Sequence, residues 1–274
     1  MCDRDLLLMA GVLIVLISAS YQDHKHREVH DIHWWIIGSM GVISVMSDAQ
    51  GVHGIMMATA SAMIAIGILW LDTGRMMGTI YWIITMCLFL IPISFSSDDC
   101  IVRMGVCIMV SSITFYLMYV MGILRGGADA KCMIVMSIAF HRDVSSYCLT
   151  TMAGSNMPFT MSLLFYATLF TSLYALSIII GNLLKRDIGF RPWRRMELEE
   201  AKGSHVWLKQ DVVDEKVLIT RGVADEGAYD RLGSKGIKEV LVTPMIPFII
   251  PITMAFVFII LAGDPLWLMI SSLC

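Results

Sequence analysis

Apolar residues in this chain do not alternate with polar ones; they gather in long blocks separated by short polar stretches. A helix rises about 1.5 Å per residue, so about 20 apolar residues cross the ~30 Å hydrocarbon layer of a bilayer. Eight blocks approach that length, near residues 5–22, 33–48, 52–71, 77–96, 101–124, 130–147, 158–184 and 246–272. The second and sixth are the shortest, a length that also suits a re-entrant or interfacial piece. Between the seventh and eighth, residues 185–243 contain no spanning block and are expected to form a water-exposed insert. Within it Val206–Leu208 and 216–220 read as strands, while 191–201, with Trp193 beside Arg194 and Arg195, reads as an interfacial helix. The pattern therefore predicts an all-α polytopic membrane protein of about eight transmembrane helices with a small cytoplasmic α+β insert before the last. Its parts would be a membrane domain over 1–184, the insert over 185–243 and a final transmembrane helix over 244–274.

Composition sharpens this. The chain is 57% hydrophobic and 16% charged, with mean hydropathy +0.73, too apolar for a domain that must clothe itself in polar side chains. The net charge of -3 matters less than where the charges sit. With the 23–32 loop in the cytoplasm, 17 of the 20 Lys and Arg residues fall inside and only Arg4, Arg103 and Arg142 outside. That orientation predicts a multi-pass protein of the cell membrane with both termini outside. The first block follows Asp3, Arg4 and Asp5 and lacks a small-residue cleavage site, so it is expected to stay as a helix. Seven cysteines are scattered without C-x-x-C spacing, which points to neither a zinc site nor a redox pair. The chain shows no internal repeat.

Two aspartates bear on chemistry. Asp23 closes the first block and Asp129 opens the sixth, with four crossings between them. An even number of crossings returns the chain to one face, so both carboxylates are expected at the cytoplasmic edge, close enough to share a water. Two carboxylates on one water do not readily both ionise, because like charges repel. The ionised one can activate the water while the protonated one hydrogen-bonds a peptide carbonyl. Gly126 and Gly127, lacking Cβ, would let the backbone turn tightly and approach a substrate before Asp129.

The stretch Ser18-Ala19-Ser20-Tyr21-Gln22-Asp23-His24-Lys25-His26-Arg27-Glu28-Val29 resembles the first catalytic motif of the archaeal preflagellin peptidases, relatives of the type IV prepilin peptidases among the Gly-x-Gly-Asp membrane aspartyl proteases. Gly126-Gly127-Ala128-Asp129-Ala130-Lys131 resembles the second motif, and the Pro-rich stretch at Pro244, Pro247 and Pro251 resembles the family's entry into its last helix. The resemblance implies a catalytic pair, Asp23 and Asp129, that removes class III signal peptides from preflagellin or prepilin precursors at the cytoplasmic face. It implies supporting or substrate-binding roles for Lys25, Arg27, Gly126, Gly127, Ala128 and Lys131, and no cofactor or metal. Ala128 stands where the stricter pattern has a second glycine. The two aspartates stand 106 residues apart, longer than a six-helix member needs, so the surplus reads as a helix pair inserted near 52–98.

The implied partners are precursor proteins with basic leaders and the lipid bilayer; nothing points to nucleic acid. Glu28, Asp31, Glu197, Glu199 and Glu200 could meet a basic leader. Lys131 could act on a carboxylate, meet lipid phosphate or anchor the topology. His24, His26, His30 and His33 cluster without a closed ligand set. Two other classes remain open: a transporter, which calls for acids at mid-membrane rather than at one edge, and a non-enzymatic scaffold that uses the insert for docking.

Overall fold

The computed structural model describes residues 3–67, 75–124, 126–149, 157–185, 191–213, 216–219, 227–245 and 247–271. The chain is mostly helical and separates into two compact units, one over 1–168 with 248–274 and the other over 169–247.

The first unit is a helical bundle. It holds α1 (Asp3–His26), α2 (Ile32–Asp48), α3 (Gly51–Gly67), α4 (Arg75–Phe95), α5 (Asp99–Val120), α6 (Gly127–Ala139) and, after the first half of α7 (Phe159–Lys185), α10 (Ile249–Ala262) and α11 (Pro265–Ser271). Three of these, α1, α5 and α7, are long and apolar enough to cross a membrane; α3, α10 and the 79–95 part of α4 are shorter apolar helices. Leu7, Ile14, Ile43, Ile55, Ile83 and Phe95 are exposed on the outside of the bundle. Such a surface suits lipid and not water.

Glycine and hydroxyl side chains draw the helices together. A Cβ on Gly41 of α2 would come within 2.7 Å of the Ala139 backbone nitrogen at the end of α6, and Ser112 of α5 meets Ser137 of α6 at 2.9 Å. Small residues permit such close backbone approach where burial against lipid supplies no hydrophobic drive. The packing places α6 at the centre: every residue from Ala130 to Ala139 is buried, with α2, α3 and α5 around it.

Two blocks depart from the apolar pattern. The sixth was expected over 130–147, yet α6 ends at Ala139, followed by a single 3-10 turn at Val144–Ser146. The cause is electrostatic, because His141 and Arg142 turn aside to bind Asp48. The last block was expected as one helix and is two, broken by Gly263 at φ 75°, a backbone conformation glycine tolerates, and by Pro265. Asp264 fills the break, accepting from Ser162 at 2.6 Å and Tyr166 at 2.9 Å.

The second unit contains the rest of α7 and a small sheet. Strands β1 (Arg194–Glu197), β2 (Val206–Leu208) and β5 (Glu239–Pro244) form an antiparallel sheet in the order β1-β5-β2, while β3 (Gln210–Val213) pairs with β4 (Lys216–Ile219). Helices α8 (Leu198–Gly203) and α9 (Ala228–Ser234) cover the core of Leu198, Ala201, Leu208, Leu232, Val240 and Val242. The interfacial helix expected over 191–201 is absent: Arg194 to Glu197 pair with Val242 to Glu239, and the helix starts only at Leu198. Arg231 holds Asp211 through two bonds of 2.9 and 2.8 Å, which keeps this carboxyl below its ordinary range.

Candidate active site

The end of the bundle that carries Asp23 is assembled from four helices. α1 runs toward it, and α2, α6 and α10 start from it. Ser20 of α1 meets Thr253 of α10 at 2.8 Å, fixing that pair side by side. The first backbone N–H groups of a helix have no partner inside it. At α10 one of them is used: the Ile249 N–H donates to Asp23 Oδ2 at 3.4 Å. Pro251 fits in the same turn because its missing N–H is not needed there.

Asp129 lies in the first turn of α6, half-buried, and near enough to Asp23 for the two carboxylates to act on each other electrostatically. Among the described residues neither carboxylate has an ion-pair partner. Gly126 caps the helix in an extended conformation, and the Asp129 carboxylate folds back over its Cα so closely that a Cβ there would collide with Oδ2. Gly126 is therefore a space-maker for the carboxylate, not the tight turn expected from sequence. Gly127 is the first residue of α6, and Ala128 follows it, half-buried.

Arg27 has an unusual setting. It follows α1 with φ 57°, and its N–H bonds the Asp23 carbonyl at 3.1 Å, the left-handed close of a helix that glycine normally supplies. A side chain in that conformation carries a strain of about 1–2 kcal/mol. Its Nε and Nη1 are buried without a hydrogen-bond partner among the described residues, and its charge reaches Asp23. Lys25, by contrast, is exposed.

Lys131 is buried and pairs with Asp31 at 3.0 Å, tying α6 to the start of α2, so a solvent-facing anchor does not describe it. Asp31 is thereby committed to a lysine of its own chain. Glu28 is exposed beside Arg27, while Glu197, Glu199 and Glu200 belong to the other unit. The histidines do not converge. His33 turns inward to Ser18 at 3.1 Å and to the His30 carbonyl at 3.0 Å, while His24, His26 and His30 are exposed, and no metal-holding group occurs among the described residues.

The sequence reading missed a second polar centre at the opposite end of the same bundle. Asp48, its side chain 7% exposed, receives Arg4 at 2.5 Å, His141 at 2.8 Å and the Arg142 guanidinium, which also lies 3.8 Å from Asp5. Its signal was present in the solitary acids and bases at the ends of apolar blocks, Asp5, Asp48 and Arg142, each of which would be costly unless paired. Comparison with known proteins adds no name to this geometry: no protein-family model matches the chain, and no curated protein matches it.

Proposed function

We propose that the chain is a polytopic membrane aspartyl endopeptidase that removes class III signal peptides from preflagellin or prepilin precursors at the cytoplasmic membrane face, with Asp23 and Asp129 as its catalytic pair. The observation that carries this reading is that two half-buried carboxylates, 106 residues apart in the chain and without a salt-bridge partner among the described residues, lie at one end of an apolar bundle within electrostatic reach of each other. A structural aspartate in apolar surroundings takes a cation, as Asp48 does here.

The chemistry follows from the pair. Asp23, which accepts the Ile249 N–H, is assigned the base and takes a proton from water as the oxygen attacks the scissile carbonyl carbon. Asp129, the more enclosed, is suited to hold the shared proton and donate a hydrogen bond to the carbonyl oxygen. When the tetrahedral intermediate collapses, the C–N bond breaks and the amine leaves with a proton from the pair. In this reading the chain crosses the bilayer about eight times and the insert over 185–243 lies in the cytoplasm, as the distribution of lysine and arginine suggests.

Arg27 serves substrate in this proposal, its unpartnered Nε and Nη1 awaiting a peptide carbonyl. Arg27→Gly relieves a left-handed side chain, so the thermal midpoint should hold or rise while kcat/KM for precursor cleavage falls about 10-fold or more through lost contacts. Unchanged kinetics in that variant would remove Arg27 from the site. Gly126→Ala tests the geometry of Asp129. The new methyl displaces a flexible carboxylate and not the backbone, so stability should change by less than about 1 kcal/mol, while cleavage drops about 100-fold because the acid is misplaced. The reading as a whole rests on mixing purified protein with a preflagellin in detergent and following the shortened product on a gel.

A further inference from the structure

The last turns of α7 face outward with apolar side chains, Leu184 being 81% exposed and Ile180 47%. Directly behind that surface Asn182 is buried, and its Nδ2 donates to two backbone carbonyls, Arg191 at 2.8 Å and Trp193 at 2.7 Å. One amide thus pins the start of the sheet-bearing segment at the level of the helix's final turn. The pinned residues are basic and aromatic. The Arg191 guanidinium lies over the Trp193 ring, 4.5 Å from its centroid, and Arg194 follows, exposed. Arg195 is answered by Glu239 at 3.9 Å, whereas among the described residues Arg191 and Arg194 have no carboxylate partner.

A helix long and apolar enough to span a membrane ends in the headgroup layer, where an indole ring is at ease and phosphates are the abundant anions. Stacking on Trp193 holds the Arg191 guanidinium in one plane and leaves its edge N–H groups for a ligand. We infer that Arg191 and Arg194, with Trp193 as platform, bind the phosphate of an anionic phospholipid headgroup at the end of α7. The site lies wholly within the second unit and does not depend on the peptidase reading. It fixes the entry of the sheet-bearing segment at the membrane surface.

The test uses the full chain in a neutral detergent, with native mass spectrometry counting bound dioctanoyl phosphatidylglycerol against dioctanoyl phosphatidylcholine. The natural chain should prefer the anionic lipid. Arg191→Gln and Arg194→Gln should each weaken its binding about 5-fold, and about 25-fold together, the effect of one and two charges at a membrane surface. Lys238→Gln, which removes an exposed charge elsewhere in the same unit, should leave binding unchanged, and Trp193→Phe should weaken it less than Trp193→Leu. Equal retention of the two lipids would overturn the proposal. So would equal losses in the arginine and Lys238 variants, or displacement of the lipid by millimolar inorganic phosphate, which would mark a free-phosphate site. Unaltered thermal midpoints in detergent alone guard against misfolded variants.

Discussion

Asp23→Asn and Asp129→Asn are each expected to lower precursor cleavage by about 10³–10⁴-fold, with precursor binding and thermal midpoint little changed. The asymmetry follows from what amidation removes. Asn keeps the shape of the side chain but can neither accept a proton from water nor hold one for the leaving amine. Two carboxylates acting as a unit, as proposed, should leave the double variant about as inactive as either single one. The same logic gives the pH dependence its form. In the proposed mechanism only the state with one proton on the pair is competent, so cleavage should follow a bell, falling on the acid side when both carboxyls are protonated and on the basic side when both are ionised. A gel assay of leader removal across pH, using protein in detergent, reads all of this. If both single variants still shorten the precursor at the natural rate, the catalytic pair is lost. If they fail and Arg27→Gly does not, the pair stands and only the assigned substrate contact falls.

The second large effect concerns stability. Asp48→Ala is expected to destabilise the bundle by about 3–5 kcal/mol, because it strands Arg4, His141 and Arg142 in an apolar setting with their common counter-charge removed. The network joins the first turn of α1, the last residue of α2 and the segment just after α6, so its loss loosens three elements at once. Asp48→Asn should be nearly as harmful, since it keeps a hydrogen-bond acceptor but deletes the charge. Thermal unfolding in detergent, monitored by intrinsic tryptophan fluorescence, measures the loss. A change under about 1 kcal/mol would mean that water reaches this cluster and screens it. Cleavage per folded molecule should persist, because Asp48 lies at the end of α2 opposite Asp31 and the start of α6.

Much of this architecture can be read from the chain, and the exceptions have physical reasons. Blocks of apolar residues locate α1, α2, α4 and α5 closely because each helix is bounded by polar residues or glycine, while the last residues expected in the third block, 68–71, lie outside the described residues. Expecting Asp23 and Asp129 at one end needed only an even number of helices between them. The early end of α6 was hidden because hydropathy averages over His141 and Arg142, whose partner Asp48 lies about 90 residues earlier. Strand β1 was hidden for a similar reason. Arg194 to Glu197 have no strand pattern of their own and become a strand only through β5, more than 40 residues later. Arg27 was legible as a motif member, but its left-handed backbone and orphaned nitrogens depend on how the loop to α2 closes. The Gly263 and Pro265 break was visible as a pair of helix breakers that a hydropathy window passes over.

The shortness of α6 bears on where water meets the bilayer. Thirteen residues span about 20 Å, and α6 separates Asp129 at its first turn from the Asp48 cluster beyond its last. A typical hydrocarbon layer is about 30 Å thick. A protein seated in such a layer must pinch it or admit solvent to a carboxylate several ångströms beneath the headgroups. The proposed hydrolysis would need the second, with solvent reaching Asp129 from the headgroup side.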